Sequence, residues 1–452
     1  MNSIKIGKSH RKINKFLLDA FNYGIEKIRP NKILNKYISA NDKEIIVKTK
    51  KKVFRYSDIG RIYILCIGKA STEMAIATKE ILKKLKTKVN KGVIVVNKEN
   101  YRNVSGFNSF VSGHPIPNKE GKRAADFVKN YLNDITANDI ILIFISGGGS
   151  ALFNSPVKEI TLRDKINVNK LLIESGADIK EINTVRKHLS TIKGGNLIKY
   201  CFPARVHSFI LSDVVGDDLS SIASGLTVPD NTYFTDVRKV LRKYKLWSTI
   251  PVKVKSFISK GLKNKEIETP KKGNTIFKNV QNTLIGSNTI YLNYLKEFCD
   301  KKKVNSIIWK RNIEGNVKKL ATMFVHDLSK KKLNKPVIFL SGGESTVKVS
   351  GNGIGGRNQE FALYFVKEIQ KRKLKTKFTL LSLGTDGKDG PTNAAGAIVD
   401  QNTFNLIQKS KIDFLNELDN NNSYKILKKI GCLVIMDGTN TNVADIQMLA
   451  LI

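Results

Sequence analysis

The sequence predicts two α/β domains with mostly parallel sheets covered by helices and an active-site cleft between them. Three observations point there. The chain has 452 residues, more than one ordinary core accommodates. Wholly apolar runs of strand length alternate with stretches of helical period, as buried parallel strands and their crossover helices do. Several of these runs end abruptly in small or acidic residues, above all LIFISGGGS at 142–150 and VIFLSGGES at 337–345. An open α/β sheet places its ligands outside the carboxyl ends of its strands, so these two endings are expected to be half-sites facing one cleft.

The elements follow in order. A helix is expected within 10–38, with Ile13, Phe16, Leu17, Ala20, Phe21 and Ile25 at helical spacing. After a lysine-studded, β-rich segment, Arg61–Ile67 reads as a buried strand ending in Gly68-Lys69-Ala70-Ser71, and a helix with Met74, Ala75 and Ala77 follows. Strand 92–96, the stiff loop Ser112-Gly113-His114-Pro115-Ile116-Pro117 and a helix over 119–132 lead to strand 140–145. That strand delivers Ser146-Gly147-Gly148-Gly149-Ser150. A helical region at 162–175 precedes a helix over 182–197, whose Asn183, Arg186, Lys187, His188 and Lys193 form a basic stripe. Strand 206–211 ends in Asp213, with Asp217 and Asp218 just beyond.

From 245 to 279 the pattern loosens, with Pro251, Pro270 and many lysines, and a domain boundary is expected there. A helix from 288 to 302, a strand at 306–309 and a helix at 315–328 follow. Strand 337–340 opens the glycine-rich segment 341–360, SGGESTVKVSGNGIGGRNQE, before a helix through 361–366. Strand 378–383 then ends in a loop carrying Asp386 and Asp389, and a strand at 432–436 and a final apolar strand close the chain.

The net charge of +39 suggests a nucleic-acid partner. Its distribution argues otherwise. Of the 78 basic residues 64 are Lys and 14 Arg, dispersed and without aromatic interleaving. Nucleic-acid readers concentrate Arg, whose planar fork fits phosphates and guanine edges. A solvated surface that steers anions inward explains the charge, with no nucleic acid as partner. Cys66, Cys201, Cys299 and Cys432 are far apart and form no metal or disulfide pattern, which fits a reducing cytoplasm. No apolar stretch reaches membrane-spanning length, and the basic N-terminus lacks the apolar core of a secretory signal.

The residues at the strand ends carry the chemistry. Lys69 follows a wholly apolar strand beside a helix start. Asp213 is the aspartate nearest its strand end, able to accept a hydroxyl proton or hold Mg²⁺, and Asp386 and Asp389 are placed to reach a metal ion as well. Arg357 stands where the glycine segment feeds a helix, so its charge and the helix N-terminus can meet one anion. Gly351-x-Gly353-x-x-Gly356 matches a dinucleotide fingerprint only formally. The strand before it is short and half polar, and Lys371 and Arg372 stand where an acid should bind ribose. No P-loop motif occurs.

GKAS, SGHPIP, ISGGGSALF, SGADIKEINTVRKHLSTIKGGNL, LSDVVGDDLSSIASGLTVPD, ETPKKG, SGGEST, GNGIGGRNQEFAL and GTDGKDGPTNAAGAIVD together resemble the glycerate 2-kinase family, in the family's order and over nearly the whole chain. The resemblance implies ATP-dependent phosphorylation of D-glycerate at its 2-hydroxyl with Mg²⁺. It implies a Rossmann-like N-terminal domain at 1–245, a connecting segment at 246–279 and a C-terminal α/β domain at 280–452 that contains the MOFRL region, about 335–450. The family's essential lysine, aspartate and arginine fall on Lys69, Asp213 and Arg357. Lys69 and Arg357 are expected to serve the substrate carboxylate and the transferring phosphoryl group, and Asp213 the 2-hydroxyl or Mg²⁺. Ser146, Gly147, Gly148, Gly149, Ser150, Arg186, Gly342, Gly343, Glu344, Gly355, Gly356 and Asn358 are expected to bind substrate or nucleotide. Leu226 replaces the family's usual proline, and the loop Asp437–Asn442 departs from the family pattern, which bears on substrate or nucleotide preference. Family members have also carried the label hydroxypyruvate reductase, so an NAD(P)-dependent reductase is the alternative. A homodimer is a further expectation.

Overall fold

The structure, a computed structural model, describes residues 11–330 and 335–452. The first ten residues of the basic N-terminus and residues 331–334 of one lysine run lie outside the described residues. The chain divides into two compact units: Pro30–Ile285, and the residues up to Arg29 together with Gly286–Ile452.

In the unit Pro30–Ile285, a small antiparallel sheet of β1 (Ile38–Ala40), β2 (Ile45–Lys48) and β3 (Val53–Tyr56) precedes the main one. The main sheet holds β4 (Ile62–Ile67), β5 (Gly92–Val96), β6 (Phe107–Val111), β7 (Ile140–Ile145), β8 (Arg205–Leu211) and β9 (Val280–Gly286), in the order β6-β5-β4-β7-β8-β9. The pairs from β6 across to β8 are all parallel. β4, β5 and β7 are buried at every position, which is why each reads as an unbroken apolar run. The chain lays down β4, β5 and β6 toward one edge, then returns to place β7 on the other flank of β4. Strand order therefore reverses between β4 and β7, where an open α/β sheet leaves its ligand crevice.

Segment 246–279 is not a connector. Leu246, Ile250, Val254, Phe257 and Ile258 join Leu172, Val185 and Phe234 in one apolar cluster inside this unit. The loosened pattern reflects a short helix, Val252–Gly261, bounded by proline, rather than a lack of core. The helix expected over 182–197 is also divided. It ends at His188, and a separate helix starts at Leu197. Between them Gly194 and Gly195 take φ of +58° and +81°, which a helix cannot continue through.

The other unit begins with the helix Arg11–Ile28 and resumes at Gly286. Its sheet holds β10 (Ser306–Asn316), β11 (Val337–Thr346), β12 (Phe378–Gly384), β13 (Gly396–Asp400), β14 (Leu433–Val434) and β15 (Asp445–Leu451), in the order β10-β11-β15-β12-β13-β14. Only β10–β11 is parallel; the other four pairs are antiparallel. The expectation of mostly parallel sheets thus holds for the first sheet and not for the second. The last strand runs back between β11 and β12, and β12–β13 is an antiparallel pair. The N-terminal helix docks here through Phe21 and Gly24. Tyr291 is fully buried and donates to the Phe21 carbonyl at 2.6 Å, and a Cβ at Gly24 would lie 2.6 Å from the Tyr291 ring. The division at 245 and 280 is therefore replaced by one at 29 and 286, with the first helix assigned to the C-terminal unit.

Candidate active site

Around the β4/β7 reversal, two strand-end turns are laced together. Ser146 N–H donates to the Ile67 carbonyl at 2.9 Å, Lys69 N–H to the Gly147 carbonyl at 2.9 Å, and Ala70 N–H to Ser146 Oγ at 3.0 Å. Gly68, at φ +124°, is glycine because a Cβ would collide with Ser146. Gly148, at φ +83°, starts the short helix Gly149–Leu152. A Cβ on Gly147 would collide with the Asp213 carboxylate, which packs directly on that peptide. A Cβ on Gly148 would lie 3.2 Å from Lys69 Cγ and 3.1 Å from His114 Cδ2. Lys69, Asp213, His114 and the 146–148 turn are therefore neighbours at the carboxyl ends of β4, β8, β6 and β7. Gly149 faces Ala223, and Ser150 Oγ lies 2.9 Å from Ser224 Oγ, so these two anchor the turn to a neighbouring loop. His114 is lowered from its ordinary value by partial burial and then by the Lys69 charge.

A cavity of about 200 Å³ opens beside this turn, with His114, Gly148, Ser150, Lys165, Arg186 and Lys193 among its lining residues and no carboxylate. Lys193 is fully buried and donates to the Ser150 carbonyl at 2.8 Å; burial, then the charges of Lys165 and Arg186, hold it well below its ordinary value. Arg186 Nε donates to Asn169 Oδ1 at 2.5 Å, and burial lowers Arg186 to about 10. Lys165 is 7% exposed, its amine has no hydrogen-bond partner, and burial followed by the Arg186 charge brings it down to about 7.

The SGGES half-site differs from SGGGS. Ser341, Gly342 and Gly343 lie inside β11 instead of turning after it. A Cβ on Gly342 would strike the Asn288 side chain, and one on Gly343 the Ile313 backbone of β10, so close strand packing accounts for both glycines. Gly351 and Gly353 lie against Asn420 and Asn422, Gly355 against Ser423 and Gly356 against Asp389. The dinucleotide-like spacing is thus the trace of a loop packed on a loop.

Arg357 begins the helix Arg357–Lys371. Its Nε lies 2.7 Å from Asp445 Oδ2 and its Nη1 donates to Glu344 Oε1 at 2.9 Å. Burial opposes the guanidinium charge, but Asp445 and Glu344 outweigh it and hold Arg357 above its ordinary value. Asp445 is fully buried and also accepts from Asn358 Nδ2 at 2.9 Å. Its burial prevails over the arginine and lifts it to about 6. Arg357 is therefore a guanidinium held in place by carboxylates, not an isolated cation.

Asp389 is buried and accepts from the N–H groups of Asn358 and Gln359 at 3.0 and 2.9 Å, which is helix capping. Asp386 Oδ1 accepts from Lys388 N–H at 3.0 Å within its own turn. Among the described residues no group of three or more His, Cys, Asp or Glu side chains is arranged to hold a metal. The candidates divide by unit, with Lys69, Ser146–Ser150, Arg186 and Asp213 in one and the glycine segment, Arg357, Asp386 and Asp389 in the other. Sequence reasoning missed His114, Asp445 and Lys165. Lys165 did leave a signal, because it shares the buried stripe of its helix with Val168 and Leu172.

Residues 16–259 match the family described as Domain of unknown function (DUF4147), and residues 337–445 match the MOFRL family. The chain is 37% identical over 429 residues to a protein named Glycerate 2-kinase from Pyrococcus horikoshii, covering 93% of each chain. It is 37% identical to D-glycerate 2-kinase of Thermotoga maritima, over 86% of this chain and 90% of that one. A crystal structure of glycerate kinase from Thermotoga maritima superimposes with a TM-score of 0.84 at 33% identity, covering 98% of this chain and all of the other. The chain belongs to the glycerate 2-kinase family.

Proposed function

We propose that the protein is an ATP-dependent kinase that phosphorylates D-glycerate at its 2-hydroxyl to give 2-phosphoglycerate. The observation that carries this reading is the meeting of Lys69 and Asp213 across the Ser146–Gly148 turn at the reversal of the sheet, in a chain whose relatives are named glycerate 2-kinases. Phosphoryl transfer asks a protein for positioning and charge neutralisation, not covalent help. Asp213 accepts the proton of the 2-hydroxyl as that oxygen bonds to the terminal phosphorus of ATP and the bond from that phosphorus to the bridging oxygen breaks, releasing ADP. Lys69 neutralises the phosphoryl oxygens, and the backbone of Gly147 and Gly148 lets the reacting groups approach without a side chain between them. Arg357, oriented by Asp445 and Glu344, offers a fixed positive charge to an anionic group.

The donor set fits magnesium. Mg²⁺ usually binds through one or two carboxylates plus substrate phosphates and waters, so substrate phosphates would hold most of it, with Asp213 as its protein ligand in the alternative where Asp213 is not the proton acceptor. Bound there, the ion would withdraw charge from the transferring phosphoryl group. Among the described residues no helix is long and apolar enough to cross a membrane. All four cysteines are free and buried, which supports a reducing compartment such as the cytoplasm.

The test is ADP release that depends on D-glycerate, with the product resolved as 2- or 3-phosphoglycerate. Release with 2-phosphoglycerate as product supports the reading. NADH oxidation by hydroxypyruvate without glycerate-dependent ADP release would replace it with the reductase.

A further inference from the structure

We propose that the cavity lined by Lys165, Arg186 and Lys193 seats the carboxylate of the acid substrate, with Lys165 as the side chain that selects it. The proposal rests on the kinase reading for the identity of the acid. It goes beyond that reading by naming where the carboxylate sits and what discriminates an acid from a neutral alcohol.

Three basic side chains line one cavity without a carboxylate among them, so the site lacks the counter-charge that a buried cation ordinarily requires. Lys193 is committed to the Ser150 carbonyl, and Arg186 gives one N–H to Asn169. The Lys165 amine has no such partner, although it is 93% buried at the cavity wall. A ligand oxyanion would complete it. Two sources offer one, the hydroxy acid and the nucleotide, and two observations favour the acid. A volume of about 200 Å³ accommodates a whole three-carbon acid but only part of a nucleoside triphosphate. Gly148 also lines the cavity, one residue from the peptide on which Asp213 packs, so an acid anchored here has the proton acceptor close to one wall of its site. Ser150, Asn154 and Asn169 add neutral polar groups suited to hydroxyls. Under this assignment Lys69 is left to the phosphoryl group. The depressed Lys165 also fits, since an amine near neutrality in the free protein gains its proton when the anion enters.

The test is Lys165→Met in the full chain. Four readings are needed: KM for D-glycerate, KM for ATP, turnover of glycerol as a neutral competitor, and calorimetric binding of D-glycerate without nucleotide. Expected are a rise of about tenfold or more in both KM and Kd for D-glycerate, the scale on which buried charge partners are lost, with KM for ATP changed far less. The preference for glycerate over glycerol should narrow. The variant should also melt higher than wild type, because an unpartnered buried amine has been removed. Lys165→Gln repeats the readings with a neutral polar tip. A rise confined to KM for ATP would assign the cavity to nucleotide phosphate and overturn the proposal. Unchanged values for both substrates would overturn it too. Glycerate binding that depends on Lys165 in a protein without kinase turnover would retain the carboxylate site and remove the kinase reading instead. Full turnover with no Lys165 dependence would do the reverse.

Discussion

Burial of the Lys165 ammonium opposes its charge, and the Arg186 guanidinium opposes it further, so the group titrates near 7 rather than at its ordinary 10.5. Arg186, Lys193 and His114 face the same cavity, and none supplies negative charge. The sign of the pH dependence follows. Between about pH 7 and 10.5 the unfolded chain holds a proton on this amine that the folded chain lacks, so this residue makes stability rise with pH across that window. Below it the buried charge exerts its full penalty. Lys165→Met should therefore show its greatest gain in melting temperature over wild type below pH 7, with the gain shrinking toward pH 10. A gain independent of pH would mean that the amine is not buried unpaired. At Asp213 the expectation concerns rate alone. Asp213→Asn keeps shape and removes the proton acceptor, so kcat should fall by about 10²–10⁴-fold, the usual worth of a positioned base. Far-UV circular dichroism and the melting temperature should stay close to wild type. Near-normal turnover would transfer the proton to another group.

The turn after β7 joins the chemistry to the fold, because the peptide that closes the strand also supports the Asp213 carboxylate. Gly147→Ala should consequently lower kcat almost as far as Asp213→Asn, since the added methyl occupies the carboxylate's place. The double variant should be little worse than either single one, as residues acting as a unit are not additive. Additive losses would separate the turn from the carboxylate. The other glycine segment predicts the opposite outcome. A Cβ at Gly353 would fall 2.5 Å from the Asn420 carbonyl and from Asn422 Cβ, so Gly353→Ala should destabilise by about 1–3 kcal/mol through overpacking. Chemical denaturation should register this, and D-glycerate binding should not. LIFISGGGS and VIFLSGGES look alike in sequence, yet one leaves its strand and the other continues it. What separates them is the Ile313 backbone of β10 and the Asp445 carbonyl of β15 pressing on Gly342 and Gly343, contacts across about thirty and a hundred residues that no local pattern encodes.

Across the whole molecule, the alternation of apolar runs with helical stretches was enough to read the parallel sheet of Pro30–Ile285, since strands buried on both faces announce themselves locally. The antiparallel second sheet was not legible, because its order depends on β15 returning between two strands far upstream. Lys165 escaped notice among 64 lysines, being one of the few that is buried. The first helix escaped for a related reason: apolar periodicity shows that a face will be buried, not which partner buries it. Phe16 packs on Phe298 with ring centroids 5.3 Å apart, and Tyr291 reaches the Phe21 carbonyl, so the partner is the C-terminal unit. That assignment has a testable consequence. Gly24→Val would place branched carbon atoms where the Tyr291 ring lies, and overpacking of this kind costs about 1–3 kcal/mol or more. Hydrogen exchange read by mass spectrometry should then show lost protection in the helix Arg11–Ile28, in the helix Asn288–Lys301 that carries Tyr291, and in the strands that follow. Peptides from Pro30–Ile285 should exchange as in wild type, because that unit has its own apolar clusters around β4, β7 and the helices near Phe234. Loss of protection confined to Pro30–Ile285 would return the first helix to the N-terminal domain and restore the boundary that the sequence alone suggested.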